Sequence, residues 1–424
     1  MRPSLKSSQP LFSSATSTWA MLLGILLLML GNGLQASLLG LRASQQGFGS
    51  SVTGVVMACF FAGFLLGSIW TPHAVYRVGY VRAFAALAAS ASISILVHAV
   101  FLTPLIWGIM RFVTGLCYSG IFVIAESWLN ETVSNENRGQ MIAFYMAVSF
   151  LGMGGGQLLL KAADPGKTDL FILASILISV SVVPSLLSAS PVPLPHQSDG
   201  VGVGKLFRIC PLGICGIFCA GVINGTLLGM GAVFAHNAGL SVAQLAAFML
   251  ALIAGAALMQ YPIGKLSDIF DRRKVLTITI FIASITAVFM NVAMAWPDPW
   301  MLLAVGVFGG LCLSIHPLSI AFTNDYIASD EVLGASSDMV LVLGAGSVAG
   351  PLFIGQLMKW FGPPVFFWWQ ALVLFCLGLF AIWRILNVPS IPLEDQGEYI
   401  ATPVQTSFVE LDKEYDKSTE ILFP

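Results

Sequence analysis

Two ionisable side chains, Arg111 and Glu126, interrupt one long apolar stretch of the sequence. Gly115, Tyr118 and Phe122 lie between them at helical spacing, so all five residues occupy one helix face about 80° wide. A charge among apolar groups is costly, which makes this face a candidate functional surface. For Arg111 we consider an anion contact, the tuning of a proton-carrying carboxylate, or a structural bond to the backbone of the first helix. For Glu126 we expect a gate-locking salt bridge, with proton transfer and a solvated helix end as alternatives.

Four further polar side chains lie within apolar stretches. His316 precedes Pro317, whose ring frees a backbone carbonyl, so the imidazole could bind a ligand, carry a proton or satisfy the broken turn. The amides of Asn32, Gln35 and Asn224 could bind a solute or join helices to one another. The candidate binding set is therefore Asn32, Gln35, Arg111, Tyr118, Asn224 and His316.

The composition predicts an integral membrane protein. The 424 residues are 57% apolar and 9% charged, with a mean hydropathy of +0.87, whereas a soluble domain has about 25% charged residues. A net charge of −2 provides no basic surface for nucleic acid. The seven cysteines form no CxxC pair and no zinc-ligand spacing, so we expect no metal and no cofactor. The sequence has no P-loop for ATP and no clustered catalytic set, so we do not expect an enzyme.

Twelve segments are long enough to cross a bilayer core, which needs about 20 apolar residues per helix. They are predicted at 18–41, 52–72, 83–103, 104–128, 138–161, 169–190, 209–232, 241–263, 275–296, 300–324, 333–358 and 363–387. The predicted organisation is an N-terminal segment 1–17, a six-helix half 18–190, a Pro- and Gly-rich linker 191–208, a second six-helix half 209–387 and an acidic tail 388–424.

The distribution of lysine and arginine predicts the orientation. With the N-terminus in the cytoplasm, the cytoplasmic segments hold 14 of these residues and the external loops hold 4. Both termini are therefore expected in the cytoplasm, as in a multi-pass protein of the inner membrane. The acidic tail is expected to be a solvated, disordered extension.

Short internal matches support two duplicated halves. Their offsets drift only from 192 to 199 along the chain, and they pair Asn32-Gly33 with Asn224-Gly225, Gly115–Ser119 with Gly310–Ser314, and Gly156–Leu158 with Gly355–Leu357. Parallel repeats of this kind place a solute path between the halves, near the membrane midplane.

Residues 264–274, GKLSDIFDRRK, resemble the GxxxDRxGRR/K signature between helices eight and nine of the major facilitator superfamily. Asp271 replaces the second glycine of that signature, and the first-half copy keeps only Arg77, Gly79 and Arg82. Arg111 with Gly115 is similar to the fourth-helix motif, and the glycines in 152–156 are similar to a packing motif. The segments 126–129, 137–140 and 261–264 resemble the YcaD-like bacterial branch.

The resemblance implies an all-α membrane protein with twelve transmembrane helices in two pseudo-symmetric halves. It also implies a set of gating residues at the cytoplasmic side: Arg77, Arg82, Glu126, Arg138, Gly264, Asp268, Arg272, Arg273 and Lys274. We expect acids near the eleventh helix to bridge to the cluster that begins at Asp268 when that side is closed; the candidates are Asp330, Glu331 and Asp338.

The expected function is secondary active transport of a small organic solute by alternating access, driven by a proton gradient. The alternative is a non-transporting membrane sensor on the same fold, with the acidic tail as its output. The expected partners are the solute, the coupling proton and the lipid bilayer, and the chain is expected to be a monomer.

Overall fold

The structure, a computed structural model, describes residues 11–132, 138–187, 201–328 and 331–387, together with Gln396, Gly397 and Tyr399; the side chains at 11–18, 128–140, 185–187 and 333 lie outside this description. Within these ranges the regular elements are helices. They are α1 (Leu11–Gln45), α2 (Ser50–Val78), α3 (Tyr80–Val100), α4 (Pro104–Thr132), α5 (Arg138–Leu158), α6 (Asp169–Val180), α7 (Val182–Leu187), α8 (Val203–Ile209), α9 (Pro211–Asn224), a π-helical turn (Gly225–Gly229), α10 (Met230–Asn237), α11 (Val242–Ile269), α12 (Arg272–Ala293), α13 (Asp298–Asn324), α14 (Val332–Phe361) and α15 (Val365–Asn387).

Eleven helical segments of the described chain are long and apolar enough to cross a membrane, and α9, the π-helical turn and α10 together form one of them. A shorter apolar helix, Asp169–Pro184, occupies the place of the sixth predicted span. The sequence predicted one continuous helix there, but the structure has two, α6 and α7. They meet at Ser181, whose hydroxyl donates to the Ile178 carbonyl at 2.7 Å.

The two halves repeat the same helix pairings. In the first half α2 packs on α4 and α1 on α5, and in the second half α11 packs on α13 and α9 on α14. Glycines make these contacts close: a Cβ at Gly33 of α1 would overlap the Met153 carbonyl of α5, and a Cβ at Gly225 would overlap the Ser347 carbonyl of α14. The matched Asn-Gly pairs of the sequence therefore occupy equivalent places, and the fold is a pseudo-symmetric membrane bundle.

The described contacts between the halves extend from one end of the molecule toward its middle, where Leu65 of α2 meets Gly344 of α14. Near the start of α2, the Ser51 hydroxyl donates to Gln356 Oε1 of α14 at 2.7 Å. Asn237, at the end of α10, donates to the Ser50 hydroxyl at 3.4 Å. This end is opposite to the C-terminal end of α11, where the signature residues lie.

The signature region is more helical than its sequence indicates. Helix α11 continues to Ile269, six residues beyond the predicted span, so Gly264 and Asp268 lie in its last turns. Asp271, which departs from the family pattern, is the N-cap of α12, and its side chain accepts from the Arg273 N–H at 3.0 Å.

Two expectations about the segments outside the spans need revision. The end of the predicted flexible linker forms α8, with Leu206 buried. The predicted disordered tail includes Gly397 and Tyr399, which are hydrogen-bonded to the body of the protein. Positions 188–200 and most of the tail lie outside the described residues.

Candidate functional site

A cavity lies between the two halves, bordered by α2, by the junction of α9 with the π-helical turn, and by α14. We call it the central cavity, and it is lined by Phe60, Phe61, Phe64, Leu65, Asn224, Leu228, Val340, Leu343, Gly344 and Ser347. Its wall is aromatic on the α2 side and aliphatic on the α14 side. Only Asn224 and Ser347 in this lining have polar side chains, so a solute here meets a largely apolar surface.

Asn224 provides the free polar group of the central cavity. It is the last residue of α9, directly before the π-helical turn, a local distortion that is frequent at functional sites. Its side chain is 3% exposed, and within the described chain neither its Oδ1 nor its Nδ2 has a hydrogen-bond partner. The Ser347 hydroxyl, in contrast, donates to the Leu343 carbonyl at 2.9 Å. The carboxamide therefore has one acceptor and two donors that no group of the described chain uses.

The aromatic wall is backed by a buried cation. The Arg111 guanidinium carbon lies 4.3 Å from the ring centroid of Phe60, at a distance typical of a cation–π contact. Arg111 is 4% exposed and forms no salt bridge with another residue of the described chain. Phe60 therefore has the cavity next to it and a positive charge against its ring face.

The other candidate binding residues are also buried. The Tyr118 ring lies 6.3 Å from that of Phe60, centroid to centroid, so the structure brings Arg111 and Tyr118 together behind the cavity wall. Asn32, Gln35 and His316 do not line the central cavity. Within the described part both amide atoms of Gln35 and Nδ1 of His316 have no hydrogen-bond partner, whereas Asn32 has an interaction partner. Their binding roles stay predictions.

Three ionised side chains, Asp268, Arg272 and Asp325, meet at the C-terminal end of α11, and we call them the charge cluster. Arg272 is 1% exposed. Its Nη1 donates to both Asp325 oxygens at 2.8 and 2.9 Å, and its Nη2 donates to Asp268 Oδ1 at 2.9 Å. Charge-assisted hydrogen bonds of this kind are shorter and stronger than those between neutral groups. The charge cluster therefore joins the ends of α11, α12 and α13.

In this conformation Asp325 bridges to Arg272, and the expected bridge from the acids near the eleventh helix in the closed conformation stays a prediction. Glu331 pairs with Lys205 at 2.6 Å, and Asp338 accepts from the Gly202 N–H at 2.7 Å. Asp330 lies outside the described residues. Asp325, which directly follows α13, supplies the carboxylate instead, because the α11–α12 turn lies beside the end of α13.

The two remaining second-half gating candidates differ in exposure. Arg273 is buried and lines a small pocket together with Tyr326 and Arg384, whereas Lys274 is exposed. Burial raises the pKa of Tyr326.

Among the described first-half gating candidates, Arg77 and Arg82 do not form the expected salt bridge with Glu126. Arg77 and Arg82 are exposed at the α2–α3 turn and form no salt bridge with another described residue. Glu126 is buried and accepts from the Tyr145 hydroxyl of α5 at 3.4 Å. The Arg138 side chain lies outside the described residues. The gating role of this group stays a prediction.

Sequence reasoning did not select the aromatic wall. Phe60, Phe61 and Phe64 belong to one apolar helix, and their residue type alone does not distinguish a cavity wall from a lipid-facing surface. The usable signal was spacing: Phe60 and Phe64 lie one helical turn apart, on the helix that precedes the signature-like loop of the first half.

Comparison with known proteins identifies the class to which this fold and site belong. The sequence model of the Major Facilitator Superfamily matches residues 21–255 and 212–411. The chain belongs to the Major Facilitator Superfamily, a family of secondary transporters.

Individual relatives agree with this assignment. The Escherichia coli protein YcaD, described as an uncharacterized MFS-type transporter, is 26% identical over 354 residues, which cover 82% of this chain and 90% of that protein. The crystal structure of the nucleoside transporter NupG matches with a TM-score of 0.72 at 13% identity, over 87% of this chain and 100% of that one. An inward-facing, occupied bacterial homolog of the human lysosomal transporter Spinster matches with a TM-score of 0.71 at 15% identity, over 92% of this chain and 99% of that one.

Proposed function

We propose that this protein moves a small organic solute across the cytoplasmic membrane by alternating access, and that the solute binds in the central cavity. The observation that carries this proposal is the Asn224 carboxamide, which is buried in the cavity wall without a hydrogen-bond partner in the described chain. A buried polar group left unpaired costs about 1–3 kcal/mol. A bound solute that exchanges hydrogen bonds with Asn224 removes this cost, so the unused bonding capacity of the carboxamide matches a ligand.

The lining defines the class of solute. Aromatic and aliphatic side chains surround a single free carboxamide, and the nearest cation, Arg111, is behind the ring of Phe60. A strongly charged solute would lose its hydration shell without a matching countercharge. The proposed substrate is therefore a neutral or weakly charged amphipathic molecule with an apolar body and one hydrogen-bonding group.

The described contacts between the halves support alternating access. They run from Ser51 and Gln356, at the end opposite to the charge cluster, to Leu65 and Gly344 farther along the same helices, so the halves meet at that end. The two matched halves can rock about the cavity to close the other end. Glu126, a buried carboxylate beside Tyr145, is the proposed carrier of the coupling proton.

Binding and uptake experiments test this proposal. The purified protein is screened with amphipathic solutes for an increase in its thermal midpoint, and each hit is tested for uptake into proteoliposomes with and without a pH gradient. Uptake that depends on the gradient and is lost in Asn224→Leu supports the proposal. Asn291→Leu is the matched control, because Asn291 bonds only within its own helix, to Val288 at 3.1 Å and Ala287 at 3.5 Å.

Two results would contradict the proposal. If a hit binds Asn224→Leu as tightly as the parent protein, the central cavity is not its site. If hits bind but no uptake occurs under any gradient, the sensor alternative is favoured over transport.

A further inference from the structure

The C-terminal tail contacts the charge cluster through its backbone. The Gly397 carbonyl accepts from Arg272 Nη2 at 2.6 Å, and the Gly397 N–H donates to Asp325 Oδ1 at 3.1 Å. The Tyr399 N–H donates to Asp268 Oδ1 at 2.8 Å. Every member of the charge cluster thus bonds to the tail, and we call Gln396, Gly397 and Tyr399 the tail segment.

The side chain of Tyr399 covers the signature glycine of α11. A Cβ at Gly264 would overlap the ring carbons of Tyr399, so the ring rests directly on the helix backbone. The Tyr399 hydroxyl approaches Gln260, one turn earlier on α11, and Gln260 is 4% exposed. Burial raises the pKa of the Tyr399 phenol, which is therefore neutral at physiological pH. Glycine at position 264 is what allows this ring to dock.

The covered surface of α11 is the one that faces the other half. Farther along the same helix, Leu250 and Ile253 approach Gly154 of α5, with a Cβ built at Gly154 lying 3.0 and 3.8 Å from their side chains. Gly264 follows Ile253 by eleven residues, which is three turns plus about 20° at 3.6 residues per turn. By this helical spacing Gly264 lies on the face of α11 that contacts α5 farther along the helix, and Tyr399 covers the end of that face.

We propose that the tail segment is a wedge that keeps the two halves apart at the charge-cluster end and must leave before that end can close. This inference rests on the alternating-access part of the proposed function. Closure brings α5 toward the last turns of α11, where the Tyr399 ring now lies. The three backbone hydrogen bonds to the charge cluster exist only with the wedge in place, so they raise the population of the conformation that is open at this end.

Hydrogen exchange measures docking without reference to transport. In the full-length protein the amides of Gly397 and Tyr399 should exchange at least tenfold more slowly than the same amides in Tyr399→Ala. Gly264→Ala should accelerate them to the same extent, because the added methyl group displaces the ring. Tyr261→Ala is the matched control: Tyr261 is 73% exposed on the same helix, and the rates should not change. Equally fast exchange in the parent protein would overturn the docking.

A distance measurement tests the wedge itself. Spin-labelled noncanonical residues are placed at Val78 of the first half and Ile269 of the second, both exposed at this end, and the distance distribution is recorded in lipid. Tyr399→Ala and Gly264→Ala should increase the short-distance population severalfold, whereas Tyr261→Ala should not. A short distance induced by a transported solute but not by Tyr399→Ala would overturn the wedge and leave alternating access standing. A distance that never shortens would overturn both.

Discussion

Replacing Asn224 by leucine should stabilise the ligand-free protein while it destroys the binding site. Leucine has nearly the shape of asparagine, and it removes two polar atoms that are buried without a partner in the described chain. An unpaired buried amide costs about 1–3 kcal/mol. The same change removes the hydrogen bonds to the solute; two such bonds at about 1 kcal/mol each correspond to roughly 30-fold weaker binding. Stability and affinity should therefore change in opposite directions.

The assay is the midpoint of thermal unfolding in detergent, followed by intrinsic fluorescence, without solute and with a solute found by screening. At roughly 2–4 °C per kcal/mol for a unit of 150–250 residues, Asn224→Leu should raise the midpoint by several degrees without solute. It should also abolish the further rise that the solute causes. All variants are compared at one scan rate, because unfolding of such proteins is commonly irreversible.

The control for this experiment is Asn291→Leu. The Asn291 side chain donates to backbone carbonyls of its own helix. Asn291→Leu should therefore give a thermal midpoint equal to or lower than that of the parent protein, and the solute should still raise it. If Asn224→Leu lowers the midpoint in the absence of solute, the Asn224 carboxamide has a structural partner and the reasoning from its unpaired atoms fails.

Three further predictions concern the gate, the cavity and the orientation. Asp325→Asn should strongly lower the thermal midpoint and the membrane abundance, because breaking a buried ion pair costs about 3–5 kcal/mol. Asp268→Asn, at a side chain that is 36% exposed, should mainly slow transport, and an equal loss of abundance in both variants would contradict this prediction. Gly344→Ala puts a Cβ 2.6 Å from the opposing leucine of α2, so binding of bulky solutes should weaken about tenfold more than binding of small ones, and a uniform loss would count against a steric cause. A cysteine introduced at Gln197 should be labelled only from the cytoplasm, and one introduced at Gly166 only from outside. The reverse labelling pattern would overturn the orientation inferred from the positive charges.

The parts of the fold that were predictable from the sequence depend on strong local physics. Apolar length defines spans in a bilayer, and glycine spacing marks close helix contacts. Thus Gly33 and Gly225, recognised first as an internal match, are found at equivalent contacts of α1 with α5 and of the π-helical turn with α14. A stripe that begins at Arg111 could not face lipid, and it is buried.

The parts that were not predictable depend on which helices become neighbours. Asp325 has no special sequence signal, and its role follows only from the position of the end of α13 beside Arg272. Tyr399 belongs to an acidic segment whose composition indicates disorder, yet a glycine on α11 provides a surface for its ring. In both cases the deciding contact spans a long sequence separation, which composition and periodicity do not report.

Arg111 shows how a charge can shape a transport site without touching the solute. The sequence left open an anion contact, the tuning of a carboxylate or a bond to the first-helix backbone, and the structure places Arg111 against the ring face of Phe60. A cation against one face of a ring draws π-electron density toward itself, so the opposite face and the edge become less negative. The cavity side of Phe60 should then favour electron-rich groups over cations. If solute binds in the central cavity as proposed, we expect Arg111 to bias it against positively charged solutes while the Phe60 ring separates the guanidinium from the solute.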